Sequence, residues 1–256
     1  MRRLAKAGSA KRQPSHNNSI RSRSTRYNKM NHPGSIVHLI ENLNQLKRKL
    51  KKLVADAEYT YETFGKEVEK PARGLIVASL TDGRFITSKT DYEFAKNKNY
   101  FPDLSLTSRD KLAIEIKSGC RRRTTNGESL NIRNSQNDMG TIASWPEKLS
   151  EFDGDKIYYV FIEYELIEQD IEVSKITIDR FYKFLGLNSA GMLSYREKDG
   201  NLRPRDFDET PRINSLTQFS ELLIRTSAYR SKRIIYKHYN ELSAVDRLEV
   251  REKLSR

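Results

Sequence analysis

The chain has 256 residues, a mean hydropathy of −0.76 and a formal net charge of +13, from 47 Lys and Arg against 34 Asp and Glu. That length fits one large α/β domain or a domain with appendages, and no apolar run approaches the ~18 residues of a membrane helix. The single cysteine, Cys120, excludes an internal disulfide and a CxxC zinc site.

The charge suits a polyanionic partner and says nothing about fold. A lone thiol agrees with a reducing cytoplasm, and the basic N-terminus lacks the apolar stretch of a signal peptide. Residues 1–40 carry nine basic and no acidic residues, so most of the excess charge is in this part. Residues 1–34, rich in Arg, Ser, Asn and Lys, have too little apolar material to fold alone. They read as a basic flexible arm, able to neutralise phosphates, or as a solubilising tail. Pro33-Gly34-Ser35 supplies a break and an N-cap.

From Ile36 to Glu69 apolar residues recur at Leu39, Leu43, Leu46, Leu50, Leu53, Ala57, Tyr61, Phe64 and Val68, spaced by three and four. This spacing predicts one long amphipathic helix, used for packing on a sheet or for pairing with a second copy. Its block Lys47, Arg48, Lys49, Lys51 and Lys52 is a solvated face or a phosphate contact. Pro71 is expected to end the helix. Gly74 to Leu80 and Arg84 to Thr87, around Asp82-Gly83, then predict two strands and a tight turn. Thr90 to Lys98 reads as short and helical.

Residues 99–120, NYFPDLSLTSRDKLAIEIKSGC, carry the chemistry. The apolar runs Phe101 to Leu106 and Leu112 to Ile116 flank Ser108, Arg109, Asp110 and Lys111, the pattern of a β-hairpin. Pairing across it would set Asp103 opposite Glu115. Side-chain alternation puts Glu115 and Lys117 on one face and Ile114 and Ile116 on the other. Carboxylates placed together repel and need a compensating partner. A divalent cation such as Mg²⁺ supplies one, with the lysine steadying an attacking hydroxide or the charge on phosphorus; a surface ion-pair cluster is the other reading.

Arg121, Arg122 and Arg123 follow directly and are candidates for phosphate positioning. Leu130 to Arg133 is a short strand. Asn131, Asn134, Gln136 and Asn137 cluster as amides that can read adenine edges or simply form turns. Trp145 to Phe152 is helix-like, and KIYYVFIEYEL from Lys156 and Val173 to Ile178 are β-prone, with Glu163 and Glu165 taken as surface. Asp179 is expected to cap a short helix through Leu185. Asn188 to Phe207 is irregular and basic, with Arg203 and Arg205; two helices follow from Ser215. No second histidine stands at ligand spacing from another, and no phosphate loop, HExxH helix, dinucleotide fingerprint or repeat is present.

Pro102-Asp103 with Glu115-Ile116-Lys117 resembles the PD-(D/E)XK signature of the restriction-endonuclease-like nuclease superfamily. The flanking NKNYFPDLSL and LAIEIKSG are similar to the active-site hairpin of the EcoRV-like type II restriction endonucleases, and Arg225-Thr226-Ser227 is a second patch of similarity to that group. The resemblance implies a restriction-endonuclease-like α/β (α+β) core: a mixed central β-sheet flanked by helices, preceded by the basic arm and the long helix. It makes 35–256 a single endonuclease domain. Mg²⁺ would be held by Asp103, Glu115 and the carbonyl of Ile116, with Lys117 orienting the attacking water. A helical carboxylate joins such sites in related nucleases, and Glu62 is the candidate.

The same resemblance points to a recognition loop at 188–201, with Asn188 and Ser189, and to DNA contacts from Arg203, Arg205, Arg225, Thr226 and Ser227. It implies a type II site-specific deoxyribonuclease that cuts double-stranded DNA at a short palindromic site and leaves 5′-phosphates. A homodimer, a companion DNA methyltransferase and a cytoplasmic bacterial location are implied with it. A repair or junction-resolving nuclease on the same fold, and a basic DNA-binding protein without catalysis, stay open at this point.

Overall fold

The structure is a computed structural model that describes residues 32–57, 59–97, 100–107, 111–123, 126, 129–132, 137–167 and 170–254. The basic arm up to residue 31, the hairpin tip 108–110 and the amides Asn134 and Gln136 lie outside the described residues. Four helices come first: α1 (Gly34–Glu41), α2 (Leu43–Ala55), α3 (Tyr61–Glu67) and α4 (Glu69–Asp82). The long helix expected over 36–69 is therefore three helices.

The breaks have local causes. Asn42 leaves helical geometry between α1 and α2, and its side-chain amide donates to the His38 carbonyl at 2.9 Å, an alternative to the helical ladder that Asn side chains offer. Thr60 caps α3 by a reciprocal pair of bonds with Thr63, the geometry of a capping box with Thr in place of the usual Glu. Pro71 does not end a helix: it lies in the first turn of α4, where the missing N–H has no intrahelical partner to lose.

The strand, turn and strand expected over 74–87 are also overturned. Residues 74–82 continue α4, because Val68, Ala72, Ile76 and Leu80 repeat every four residues and all are buried. The chain leaves the helix through Gly83 and then Arg84, whose φ is 60°. A 3₁₀ turn, Lys89–Asp91, and strand β1 (Tyr92–Phe94) replace the short helix expected over 90–98.

The remaining strands are β2 (Leu104–Leu106), β3 (Ala113–Arg123), β4 (Ser129–Ile132), β5 (Ile157–Ile167) and β6 (Asp170–Arg180). They form one mixed sheet in the order β1-β2-β3-β5-β6, with β4 paired to β3. β3 and β5 are parallel and the other pairs antiparallel. Helix α5 (Trp145–Glu151) bridges β4 and β5, and α6 (Leu216–Glu241) and α7 (Ala244–Leu254) close the described chain.

A core lies on each face of the sheet. Leu104, Ile114, Ile116, Tyr158, Val160 and Ile162 pack with α1 to α4 on one face. Ala113, Tyr159 and Phe161 pack on the other with Trp145, Phe181 and Phe219. The period of two along β3 and β5 sorts the side chains between these cores. Asp179, expected to cap a helix, lies in β6, and the 3₁₀ turn Phe181–Phe184 follows Arg180.

Residues 188–201, expected as a recognition loop, are stitched into a small module. Leu187 bridges Leu193, Tyr195 bridges Leu202, and Asn201 bridges Thr141. The Asn188 side-chain oxygen accepts from the amides of Ala190 and Met192, both at 3.0 Å.

Candidate active site

The hairpin pairs Leu104 with Ile114 and Ser105 with Ala113. Continuing that register by one residue sets Asp103 against Glu115, and the bonds follow it. The Asp103 N–H donates to Glu115 Oε2 at 3.1 Å, and the Ile116 N–H donates to Asp103 Oδ2 at 2.9 Å. Lys117 Nζ stands 2.5 Å from Glu115 Oε1. Asp103 and Glu115 are 9 % and 8 % exposed, so two carboxyl groups are held together nearly out of water. The next residue, Ser118, donates to the Gly65 carbonyl at 2.9 Å and ties β3 to α3.

Burial and the charge of Glu115 push the Asp103 carboxyl up to about 6, against the pull of Lys117, the Ile116 amide and Arg73. Burial disfavours the charged form of Lys117, but Glu115, Glu69 and Asp103 outweigh it and hold the ammonium above its ordinary value. Glu69 belongs to the same electrostatic cluster. Burial lifts its carboxyl to about 7, with Asp103 and Glu115 adding to the rise and Lys117 and Arg73 opposing it.

Glu69 and Arg73 stand four residues apart on α4, one turn of one face. Arg73 Nη1 is 3.9 Å from Asp103 Oδ1, and its guanidinium lies over the Phe94 ring. The sequence reading missed Glu69 and named Glu62. Glu62 lies in α3, and its side chain is outside the described residues. Val68, Ala72, Ile76 and Leu80, read at a period of four, would have carried the helix past Glu69 and set Arg73 one turn beyond it on the same face.

Among the described residues no group of three or more His, Cys, Asp or Glu side chains is spaced to hold a metal ion. The donor set nevertheless fits a hard divalent cation: two carboxylates crowded in a poorly solvated place, and one oxygen, Asp103 Oδ1, whose nearest cationic partner is at 3.9 Å. One or two carboxylates are what Mg²⁺ ordinarily takes from a protein. Tyr159, opposite Glu115 on β5, is fully buried, and among the described residues its hydroxyl has no hydrogen-bond partner.

The other predicted residues are dispersed. Arg121 turns inward: its guanidinium is 2.6 Å from Glu163 and 3.2 Å from Asp208, and it lies over the Phe207 ring. Glu163, read as surface, is 3 % exposed. Arg121→Ala would leave this carboxylate with only Lys175, at 3.9 Å, and a loss of about 3 kcal/mol is expected in urea unfolding; an unchanged midpoint would show that Lys175 or solvent suffices for Glu163. Arg122 is exposed; the side chains of Arg123 and Asn131 lie outside the described residues.

Arg203 and Arg196 both hold Asp138, at 2.6 and 2.8 Å. Arg205 donates to the carbonyls of Lys183, Asp206, Phe207 and Glu209. Thr226, fully buried, accepts from the Leu193 amide at 3.1 Å, and its neighbours Arg225 and Ser227 are exposed and half-buried. Ser189 is exposed.

The architecture is an α/β protein whose mixed sheet presents an Asp-Glu-Lys cluster where β2 and β3 begin to pair. No family model matches the chain, and no curated protein sequence matches it. Among solved structures it is similar to the NlaIV restriction endonuclease, with a TM-score of 0.49 and 11 % sequence identity, over 77 % of this chain and 89 % of that chain.

Proposed function

We propose that this chain is a Mg²⁺-dependent type II site-specific deoxyribonuclease with a PD-(D/E)XK site, acting on double-stranded DNA as a homodimer. The observation that carries the reading is the reciprocal bonding of Asp103 and Glu115 across the hairpin, with Lys117 paired to Glu115. Asp103, Glu115 and the Ile116 carbonyl would hold the ion, and Glu69 takes the role of helical carboxylate first given to Glu62. A bound Mg²⁺ would lower the pKa of a water and offset charge on the phosphoryl oxygens.

Lys117 keeps the carboxylates ionised and orients the attacking water. Attack in line on phosphorus expels the 3′ oxygen and leaves a 5′-phosphate. A palindromic site cut in both strands needs two such centres related by a two-fold axis. A companion methyltransferase would protect the host DNA, in the cytoplasm of a bacterium. Arg122, Ser189 and Arg225, all exposed, are assigned to DNA, with the arm over 1–34, Arg123, Asn131 and Asn134. Arg121, Arg203, Arg205 and Thr226 support these contacts from within, because their polar groups already have partners.

Incubation with unmethylated phage DNA and Mg²⁺, followed by sequencing of the fragment ends, tests this. Discrete fragments with 5′-phosphates at one short site are expected, and none with EDTA. Cutting confined to branched or damaged DNA would favour the repair reading instead. Intact DNA that is retarded on a gel would leave only a basic binding protein.

A further inference from the structure

One lysine near the cluster has no role in this account. Lys148, on α5, reaches back so that its ammonium lies 4.2 Å from the centroid of the Phe101 ring and 5.0 Å from that of Trp145. The backbone makes room for it. Gly140 has a φ of +84°, and a Cβ there would come within 2.7 Å of Lys148 Nζ. Among the described residues no carboxylate or carbonyl accepts a hydrogen bond from this ammonium.

Ring faces attract a cation, but they do not replace the hydrogen bonds that an ammonium gives up on leaving water. Burial pushes Lys148 down to about 8, Glu115 opposes that shift and Lys117 adds to it. The two catalytic-strand residues therefore feel its charge. The ammonium is half-buried beside the cluster, and with no acceptor among the described residues it is open to an anion at its solvent side.

We propose that Lys148 is a second phosphate-binding cation of the active site, its ammonium completed by a non-bridging oxygen of the DNA phosphodiester. The inference rests on the nuclease reading above and adds a residue that lies on α5, outside the Asp-Glu-Lys signature. Phe101, two residues before Asp103, supplies a ring face that positions the ammonium, so the hairpin that carries the carboxylates also places this charge.

Lys148→Met keeps the apolar stem against the rings and removes the charge. Single-turnover plasmid cleavage in Mg²⁺, the salt dependence of duplex binding in EDTA, and the melting temperature are compared with wild type and with Lys148→Arg. Cleavage is expected to fall about 10²-fold in the Met variant, the scale of removing one stabilising donor. The log–log salt slope should shrink by about 0.9, one phosphate contact, with a melting temperature equal to or above wild type. Lys148→Arg should recover part of both.

Wild-type cleavage and an unchanged salt slope in the Met variant would overturn the proposal while leaving the nuclease reading intact. So would a lowered melting temperature with an unchanged slope, which marks a packing role. An inactive wild type would sink the nuclease reading instead, and the salt slope would then still decide whether Lys148 meets phosphate.

Discussion

Lys117→Ala is expected to destabilise the metal-free protein by roughly 3–5 kcal/mol at pH 8, the range for removing one partner of a buried ion pair. One ammonium, 15 % exposed, sits 2.5 Å from Glu115 and also balances Asp103 and Glu69. Its folded-state pKa is raised, so its contribution is present throughout the neutral range and would fade only at strongly alkaline pH. Without it three acidic groups share one poorly solvated place. They can escape by taking up protons, so the penalty should shrink at pH 5, below the values of about 6 for Asp103 and about 7 for Glu69. Urea unfolding at the two pH values, with and without Mg²⁺, measures this. A midpoint equal to wild type at pH 8 would mean that the lysine is solvated and dispensable to the cluster.

Asp103→Asn should move stability the other way while abolishing cleavage. The folded-state carboxyl titrates near 6 because burial and Glu115 disfavour its charge, whereas an unfolded Asp titrates near ~3.9. A raised carboxyl pKa means that stability is present below the unfolded value and is lost as pH rises through the folded one. The native protein therefore carries an electrostatic cost at pH 8 that the amide removes, a gain of roughly 1–3 kcal/mol. The Asn oxygen can still accept from the Ile116 amide. The gain should be largely gone at about pH 4, where the folded carboxyl is already protonated and the unfolded one about half so. Cleavage should fall on the order of 10³-fold or more, since the group that would hold the ion is gone. Melting curves at pH 8 and pH 4, beside a cleavage assay, separate the two effects. A variant less stable than wild type at pH 8 would show that hydrogen bonding, not repulsion, governs Asp103. Stability gained where function is lost is the general behaviour of strained active sites.

The hairpin was legible because its two apolar runs flank a short polar turn, and a register counted from that turn brings Asp103 and Glu115 together. The β5–β6 pair and the helix at Trp145 were equally plain, from β-branched and aromatic density and from a Pro in the first helical turn. Helix α4 was hidden by its composition. Leu75, Ile76 and Val77 before Asp82-Gly83 look like a strand entering a turn, and only burial every fourth residue reveals the helix. That misreading left Glu69 as the last residue of a helix and Arg73 outside it, so their shared face was not seen.

Glu163 misled for a different reason. Alternation along β5 suggested an outward face, but β5 lies between β3 and β6 with a core on each side of the sheet. A strand covered on both faces has no outward side, and the charge survives there by pairing with Arg121. Arg203 reaches Asp138, 65 positions away, Arg205 reaches the Lys183 carbonyl, 22 away, besides its own near neighbours, and Thr226 meets Leu193, 33 away. No local pattern announces contacts of that kind.

The central claim is that Asp103, Glu115 and Lys117 form a metal-dependent hydrolytic site. Supercoiled plasmid incubated with wild type and with Asp103→Asn, each in Mg²⁺ and in EDTA, tests it most directly. The account predicts nicked and linear DNA from wild type in Mg²⁺ alone. Strand breaks from Asp103→Asn at the wild-type rate, or from wild type in EDTA, would contradict it.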